Sequence, residues 1–304
     1  MTQKKHTSFF SEHEKILRRK KYFFQLLSGL IIIIPLYSLE VFLPTMSMKP
    51  GQIIRIYLIR GNEEKNLTAY ENGNRRILYR DKSPGNAQQP IYFFFCGYDG
   101  ERFPEQIELR LLTSQTDFIT NIFFTADKPP EGKVHITDTN TRALLSRPAE
   151  DTRQENIFFH KFFSNENPVQ YWRENWICPV YNPRITSPYG MQRTYNDGLQ
   201  RFHRGVDYGA PEGTPVYAPN HGVIVYIGRK KVRGKIIVID HGSGLHTEYW
   251  HLSEISVKNG QLMKKGDVIG RIGNTGLSTG PHLHWGVRVG MNAVDGLHFL
   301  EIMQ

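Results

Sequence analysis

The sequence predicts a mainly β protein with an amino-terminal membrane helix, an immunoglobulin-like β-sandwich as the middle domain and an all-β carboxyl-terminal domain. Two observations support this fold class: an uncharged apolar run near the amino terminus, and many short alternating segments separated by Gly, Asn and Asp turns. The length of 304 residues indicates more than one domain, and 39% hydrophobic with 22% charged residues is the composition of a folded protein.

Residues 1–21 are predicted to form a basic segment that remains in the cytoplasm. They contain seven Lys or Arg and two Glu, which is +5 of the chain's net charge of +9 and leaves +4 for all other residues. So small an excess over the long remainder does not indicate a nucleic-acid partner.

Residues 22–43 are predicted to form a transmembrane signal-anchor. No charge occurs in residues 22–39, and a helix of roughly 20 apolar residues crosses a bilayer. Because the basic cluster lies on one side only, the amino end is expected inside and the following domains in the periplasm or otherwise outside the cytoplasmic membrane. A buried core helix is one alternative, but it should show a polar face. A cleaved signal peptide is the closer one, but no Ala-x-Ala-like cleavage site follows the run.

Residues 46–145 are predicted to form the β-sandwich-like domain, with about six short strands broken by turns. The strongest strand is at 107–111, where Ile107, Leu109 and Leu111 alternate with Glu108 and Arg110. Since no cluster of titratable residues with the spacing of a site occurs here, this domain is interpreted as a spacer or interaction module.

Residues 146–183 are predicted to contain a helix and a linker. The helix covers 150–163, with Ile157, Phe158 and Phe162 on a shared side, and an irregular segment rich in Asn and Pro follows it. Outside the cytoplasm two alternatives are open for Cys96 and Cys178. They form one disulfide, or they remain two separately buried thiols.

Residues 184–304 are predicted to form the carboxyl-terminal all-β domain, and His203, Asp207, His282 and His284 carry its chemistry. Residues two apart on a strand share a face, so His282 and His284 should point into one cleft. A catalytic zinc ion typically takes three protein ligands and leaves one position for water, so this set predicts metal-assisted hydrolysis. His246 and His251 have odd spacing on one strand, and this spacing does not decide which of them shares the cleft.

The segment 190–289 resembles the M23 metallopeptidases, the LytM or lysostaphin-like peptidoglycan endopeptidases. The motifs that carry the resemblance are His203-x-x-x-Asp207, Gly213-Thr214-Pro215-Val216, Tyr249-Trp250-His251-Leu252 and Gly276-x-Ser278-Thr279-Gly280-Pro281-His282-Leu283-His284. The resemblance covers about the last third of the chain and does not extend into the predicted sandwich.

The resemblance implies a role for each of five residues. His203, Asp207 and His284 are the implied ligands of one Zn²⁺ per chain, and His251 and His282 are the implied catalytic imidazoles that activate water and stabilise the oxyanion. The implied function is a membrane-anchored zinc endopeptidase that hydrolyses peptide cross-links of bacterial peptidoglycan, with a regulatory envelope partner left open. The alternative is a non-enzymatic LytM-type regulator of wall amidases or a division scaffold, which the five intact positions disfavour.

Overall fold

The computed structural model describes residues 32–36, 39–43, 47–49, 51–60, 67–80, 91–100, 105–112, 117–124, 131–133, 148–164, 167–173, 175–194 and 200–304. Within these ranges the protein is mainly β, as the sequence predicts, with two helices.

Eleven strands are described before the first helix, and the first ten of them form two five-stranded sheets, one in the order β1-β2-β4-β8-β7 and one in the order β3-β10-β9-β5-β6. These strands are β1 (Ile32–Leu36), β2 (Leu39–Leu43), β3 (Ser47–Met48), β4 (Ile53–Arg60), β5 (Thr68–Glu71), β6 (Asn74–Arg76), β7 (Tyr79–Arg80), β8 (Ile91–Gly97), β9 (Gln106–Leu112), β10 (Asp117–Phe124) and β11 (Glu131–Lys133).

The two sheets share one apolar core. The alternation predicted for β9 is confirmed, since Ile107, Leu109 and Leu111 are buried while Glu108 and Arg110 are exposed. From the opposite sheet, β4 and β8 contribute alternate apolar residues to the same core: Ile54, Ile56, Leu58, Phe94 and Cys96. The two sheets therefore pack face to face, and the immunoglobulin-like strand order stays a prediction.

The segment expected to be a membrane helix is partly described, and its described residues are strands. Residues 32–36 and 39–43 pair with each other as an antiparallel hairpin, and β2 also pairs with β4. The β-branched run at 31–34 favours an extended backbone, and Pro35 lacks the N–H that a helix interior requires. Residues 22–31 and 37–38 lie outside the described residues. Among the residues described, no helix has the length and apolar character needed to span a membrane.

The predicted helix in the connecting region is confirmed as α1 (Pro148–Phe163). Its buried side is rotated from the predicted one, because Phe159 and Phe163 are buried and Phe158 and Phe162 pack beside them, while Ile157 is 57% exposed. The residue four before Phe159 is Glu155, which is also buried, so the inward stripe includes a charge that an apolar pattern overlooks. The following segment packs Trp172 and Trp176 into the carboxyl-terminal core.

The remaining strands form a small sheet with β11 and one ten-stranded sheet, whose main path is β12-β15-β22-β19-β18-β17-β20. They are β12 (Arg184–Ser187), β13 (Gln192–Thr194), β14 (Gln200–Phe202), β15 (Val206–Gly209), β16 (Pro215–Tyr217), β17 (Gly222–Lys230), β18 (Gly234–Gly242), β19 (Leu245–Ile255), β20 (Leu262–Met263), β21 (Val268–Ile272), β22 (His282–Val289) and β23 (Asn292–Val294), followed by α2 (Gly296–Ile302).

The sandwich and the carboxyl-terminal domain are joined by a buried contact rather than by a linker alone. The outer face of β4 and β8 contributes Ile53, Phe93 and Phe95 to the core that contains Trp172. The ring centroids of Phe93 and Trp172 are 5.9 Å apart, and Asp295 donates a backbone hydrogen bond to Gly51 over 2.7 Å. The β4–β8 sheet is thus covered on both faces, which fixes the sandwich beside the carboxyl-terminal domain.

The two cysteines are separate thiols. Cys96 is buried in the sandwich, where its Sγ donates to Glu71 Oε1 over 3.2 Å, and Cys178 is half-buried against the carboxyl-terminal core. Of the two alternatives that the sequence allows, the structure has the unpaired one.

Candidate active site

Three potential metal-ligating side chains converge at one end of the large sheet. His203 Nε2 lies 3.0 Å from Asp207 Oδ1 and 3.0 Å from His284 Nδ1, and the last two atoms are 2.9 Å apart. All three residues are buried. Among the described residues they form the group of His, Cys, Asp and Glu whose ligand atoms all lie within 4.8 Å of one another.

Strand pairing brings these side chains together from distant parts of the sequence. In the antiparallel pair of β15 and β22, Asp207 lies opposite His284 and Gly209 opposite His282. Opposite residues of two paired strands project from the same face, so a carboxylate and an imidazole meet there. His203 lies just after β14, where its backbone N–H donates to Met191 over 3.0 Å.

Gly205 permits the close approach of this segment to β22, as its position between His203 and Asp207 suggests. A Cβ atom at Gly205 would lie 2.5 Å from His284 Nε2 and 2.7 Å from the backbone oxygen of Trp285. Contacts this short are sterically forbidden for a side-chain carbon, so only glycine fits without moving the His284 ring.

The donor chemistry of the three residues fits a metal cation. His203 Nδ1 lies 2.8 Å from the carbonyl oxygen of Pro188, which can only accept, so Nδ1 carries a proton and the neutral form of the ring presents its lone pair at Nε2. That lone pair faces the carboxylate oxygen of Asp207 at 3.0 Å. Two acceptors so close repel each other unless a cation lies between them, and His and Asp are ligands that zinc prefers.

The protonation states suit the same ion. Burial raises the pKa of Asp207, but its close contacts with the His203 and His284 rings outweigh burial and hold the pKa well below its usual range. Burial lowers the pKa of His284 to about 4, so its ring is neutral at physiological pH, which is the form that binds a metal. Arg193 donates to Asp207 Oδ2, so it holds this carboxylate while Oδ1 faces the two imidazoles.

His251 and His282 lie beside the three-residue group, with their ring centroids 4.7 Å apart. His251 Nδ1 donates to the carbonyl of Thr275 over 2.7 Å, and His282 Nδ1 donates to the carbonyl of Gly280 over 2.8 Å. In the neutral form of each ring the unprotonated nitrogen is therefore Nε2, and that of His282 is 3.9 Å from Asp207 Oδ1. Burial also lowers the pKa of His251 well below its ordinary value, so this imidazole is neutral.

A β-bulge decides which histidine of β19 reaches the site. The pairing register of β18 with β19 shifts between Tyr249 and Leu252, and His251 has a φ of +63°, in the left-handed region. This backbone places Trp250 and His251 near His284 together, with centroid separations of 4.0 and 6.4 Å. His246 lies elsewhere, packed edge-on against Phe163 of α1.

A cavity of 720 Å³ opens at these residues. It is lined by Asp207, His251 and His282 together with the loop that precedes β22, and by Arg184 and Thr186 of the edge strand β12. None of the lining residues belongs to the described part of the sandwich. The cavity is large enough to hold several residues of a peptide.

Sequence reasoning assigned no role to two residues that contact the site. Arg193 reaches Asp207 from β13, and no short-range spacing links a residue fourteen positions away to a ligand. Trp250 stacks on His284 with an interplanar angle of 26°. The quoted motif contains Trp250, but its contact with His284 follows from the pairing of β19 with β22, in which the two residues lie opposite each other.

Comparison with known proteins identifies one family. A sequence model of peptidase family M23 matches residues 201–296. The DD-carboxypeptidase/endopeptidase Mpg of Neisseria meningitidis serogroup B is 44% identical over 119 residues, which are 39% of this chain and 27% of that protein. The peptidoglycan DD-endopeptidase ShyB of Vibrio cholerae is 42% identical over 115 residues, which are 38% of this chain and 27% of that protein. This chain thus matches about a quarter of the length of these relatives.

A solved structure from Pseudomonas aeruginosa, assigned to peptidase M23, has the same fold over most of the chain. It is 24% identical, covers 84% of this chain and 96% of its own, and superposes with a TM-score of 0.58. The shared coverage extends beyond residues 201–296, so the likeness in fold includes strands that precede this segment.

Proposed function

We propose that the protein is a zinc endopeptidase that hydrolyses peptide cross-links of bacterial peptidoglycan, on the premise that residues 201–296 match peptidase family M23. One observation carries the proposal: His203, Asp207 and His284 present acceptor atoms about 3 Å apart beside two imidazoles and an open cavity. A regulator that only binds a partner does not need this complete set, which favours the enzyme over the non-catalytic alternative.

His203, Asp207 and His284 would hold the zinc ion through Nε2, Oδ1 and Nδ1. Zinc with three protein ligands supplies a Lewis acid that polarises a carbonyl oxygen and lowers the pKa of water. The low pKa of Asp207 keeps its carboxylate charged, so the two neutral imidazoles and this carboxylate leave a bound Zn²⁺ with one net positive charge.

His251 and His282 supply the proton transfers. Because their Nδ1 atoms donate to Thr275 and Gly280, each Nε2 is free to accept a proton from water as a general base. The imidazolium formed in this way then donates to the developing oxyanion or to the leaving amine. With the rings 4.7 Å apart, both act at one reacting centre.

The proposed substrate follows from the relatives and from the cavity. ShyB is named a peptidoglycan DD-endopeptidase, and we propose the same class of cross-link for this chain. Arg184 on the edge strand offers a cation to the carboxylates of a wall peptide. The sandwich acts as a spacer in this proposal, because its described residues leave the cavity open.

We further propose that the catalytic domain works outside the cytoplasmic membrane and that the amino-terminal segment anchors it there. The basic residues of 1–21 and the uncharged residues 22–31, which precede β1, support this location. In intact spheroplasts, externally added protease should then digest the carboxyl-terminal domain. A domain that is digested only after the membrane is lysed would contradict the proposal.

The activity is tested with the full-length chain, loaded with zinc and incubated with purified sacculi and defined cross-linked muropeptides. Mass spectrometry should show cross-linked dimers converted to monomers, with the bond cleaved identified by product mass, and a chelator should stop the reaction until zinc is restored. Intact cross-links after incubation with folded, zinc-loaded protein would refute the proposal.

A further inference from the structure

We propose that Glu155 and Arg233 are positioning residues, which hold Trp250 against His284 and so couple the docking of α1 to the metal affinity of the site. This inference rests on the zinc function proposed above. Among the four imidazoles of the site, His284 is the one whose orientation is not set by a hydrogen bond to a backbone carbonyl.

The orientation of His284 needs a separate explanation. His203, His251 and His282 each donate Nδ1–H to a carbonyl oxygen within 2.8 Å. His284 faces the other ligands with Nδ1, and its buried Nε2 has no hydrogen-bond partner among the residues described. Metal-ligating histidines are ordinarily oriented by an acceptor on the second ring nitrogen, so another contact must fix this ring.

Trp250 provides that contact. Its ring is stacked on His284 with centroids 4.0 Å apart, and its indole Nε1 donates to Glu248 Oε2 over 3.2 Å. The indole is therefore fixed at its edge while its face lies against the imidazole. Stacking restricts the tilt of the His284 ring, and the tilt decides where its Nδ1 lone pair points.

Arg233 lies on Trp250 and connects it to α1. The guanidinium carbon of Arg233 is 4.4 Å from the centroid of a Trp250 ring and 4.7 Å from the ring of Phe159. Only 1% of Arg233 is exposed, so this cation has lost its water and depends on protein partners. The stack thus runs in order from α1 through Arg233 and Trp250 to His284.

Glu155 fixes Arg233 from the helix. Its carboxylate accepts from the Arg233 side chain over 2.9 Å and from the backbone N–H groups of Val232 and Arg233 over 2.8 and 3.3 Å. Asn156 accepts a second guanidinium bond over 2.6 Å. Glu155 is buried on the inward side of α1. The packing of α1 against the sheet therefore also determines the position of the Arg233 guanidinium.

A purely structural role explains this arrangement poorly. Glu155, Arg233, Glu248 and Arg288 are all buried, and the cost of removing such charges from water often cancels their mutual attraction. An apolar helix face would cover the sheet with a smaller loss of hydration free energy. The charged pair fixes an orientation that apolar residues would not fix. The hydrogen bonds to Glu155 determine where the guanidinium plane of Arg233 lies over the Trp250 ring.

The test measures zinc affinity of the full-length chain by competition with a chromophoric chelator, together with kcat and KM on a muropeptide dimer. Glu155→Gln and Trp250→Leu should each weaken zinc binding by about 10-fold or more, in the range found when partners behind metal ligands are removed. Trp250→Phe keeps an aromatic face and should restore most of the affinity. The loss should appear in kcat more than in KM.

Two matched controls separate positioning from general damage. Asp151→Asn removes the ion pair of the same helix with Lys231, whose side chain is 70% exposed, and should leave zinc affinity unchanged. Leu109→Ala destabilises the sandwich core without touching the stack, and it should also leave zinc affinity unchanged.

Each remaining outcome counts against a stated claim. Wild-type protein that binds no zinc overturns both the proposed function and the positioning role. Wild-type protein that binds zinc, with Glu155→Gln and Trp250→Leu binding it equally well, overturns the positioning role alone. The same holds if Leu109→Ala weakens zinc binding as much as Glu155→Gln does.

Discussion

The two faces of strands β19 and β22 are both buried, yet they are built from opposite chemistries. One face carries Leu283, Trp285 and Val287 in the core closed by α2. The other carries His284, a proposed zinc ligand, with Glu248 and Arg288 under α1, and the last two are joined by a hydrogen bond. Alternation along two strands thus separates the residues that hold the sheet together from those that perform chemistry.

The difference shows where stability and function are located. Burying apolar side chains stabilises the fold in proportion to the area removed from water. Burying ionised groups gives little net stability, but their hydrogen bonds fix directions. Substitutions on the two faces should therefore affect different measurements, and the three predictions below follow from this.

The largest effect is expected on the polar face. His284→Ala should abolish zinc binding and cleavage together. His282→Ala should leave zinc bound and lower kcat by roughly 10²–10⁴-fold, because it removes only a general acid–base group. Zinc stoichiometry and single-turnover cleavage of a muropeptide dimer distinguish the two variants. If His282→Ala lost zinc as His284→Ala does, the division into ligands and proton carriers would be wrong.

On the apolar face, Ile237→Ala should lower the free energy of unfolding by about 2–5 kcal/mol, because it leaves a cavity in a closed core. Ile237 is fully buried beneath Tyr249, its pairing partner on β19. Urea denaturation measures the loss, and zinc affinity at low urea should match the wild type. An Ile237→Ala protein of normal stability but weak zinc binding would contradict the separation of the two faces.

The smallest effect is expected from a titratable residue on the apolar side. Burial lowers the pKa of His241 from 6.5 to about 3, and its Nε2 bonds to Thr247 Oγ1 over 2.8 Å. Because the folded-state pKa is depressed, the unfolded chain binds one more proton between pH 6.5 and about 3. Stability is thus lost as pH falls through this window, by up to about 1.4 kcal/mol per pH unit.

The measurement is the free energy of unfolding against pH for the wild type and His241→Asn. The variant lacks the imidazole that takes up a proton in the unfolded chain. Between pH 6 and 4 the slope of its unfolding free energy against pH should therefore be smaller than that of the wild type, by the amount that corresponds to one proton. Parallel curves would show that His241 is not held neutral by the fold.

Much of the catalytic domain could be predicted from the sequence because its signals are local. The even spacing of His282 and His284 placed both beside Asp207, and the alternation at 107–111 marked one face of the sandwich. The helix after residue 147 is also predicted by its pattern, though Ile157, which the pattern groups with Phe158 and Phe162, is exposed.

The remaining features depend on partners that are distant in sequence. The apolar run ending at residue 43 predicted a membrane helix, yet its described residues are strands because β4 provides a neighbour for the hairpin. Strand parity could not choose between His246 and His251, since a bulge at residue 251 changes the parity. Glu155 reads as a solvent-facing residue until Arg233, 78 positions later, is placed against it.

The sequence by itself determined the ligand types, the strand periods and the family resemblance, because these depend on side-chain chemistry and short spacings. Only the tertiary structure decided the register that sets Asp207 opposite His284, the left-handed backbone at His251 and the stack from Glu155 to His284. Each of these arises from pairing between segments tens of residues apart, where the energy of contact rather than local preference selects the geometry.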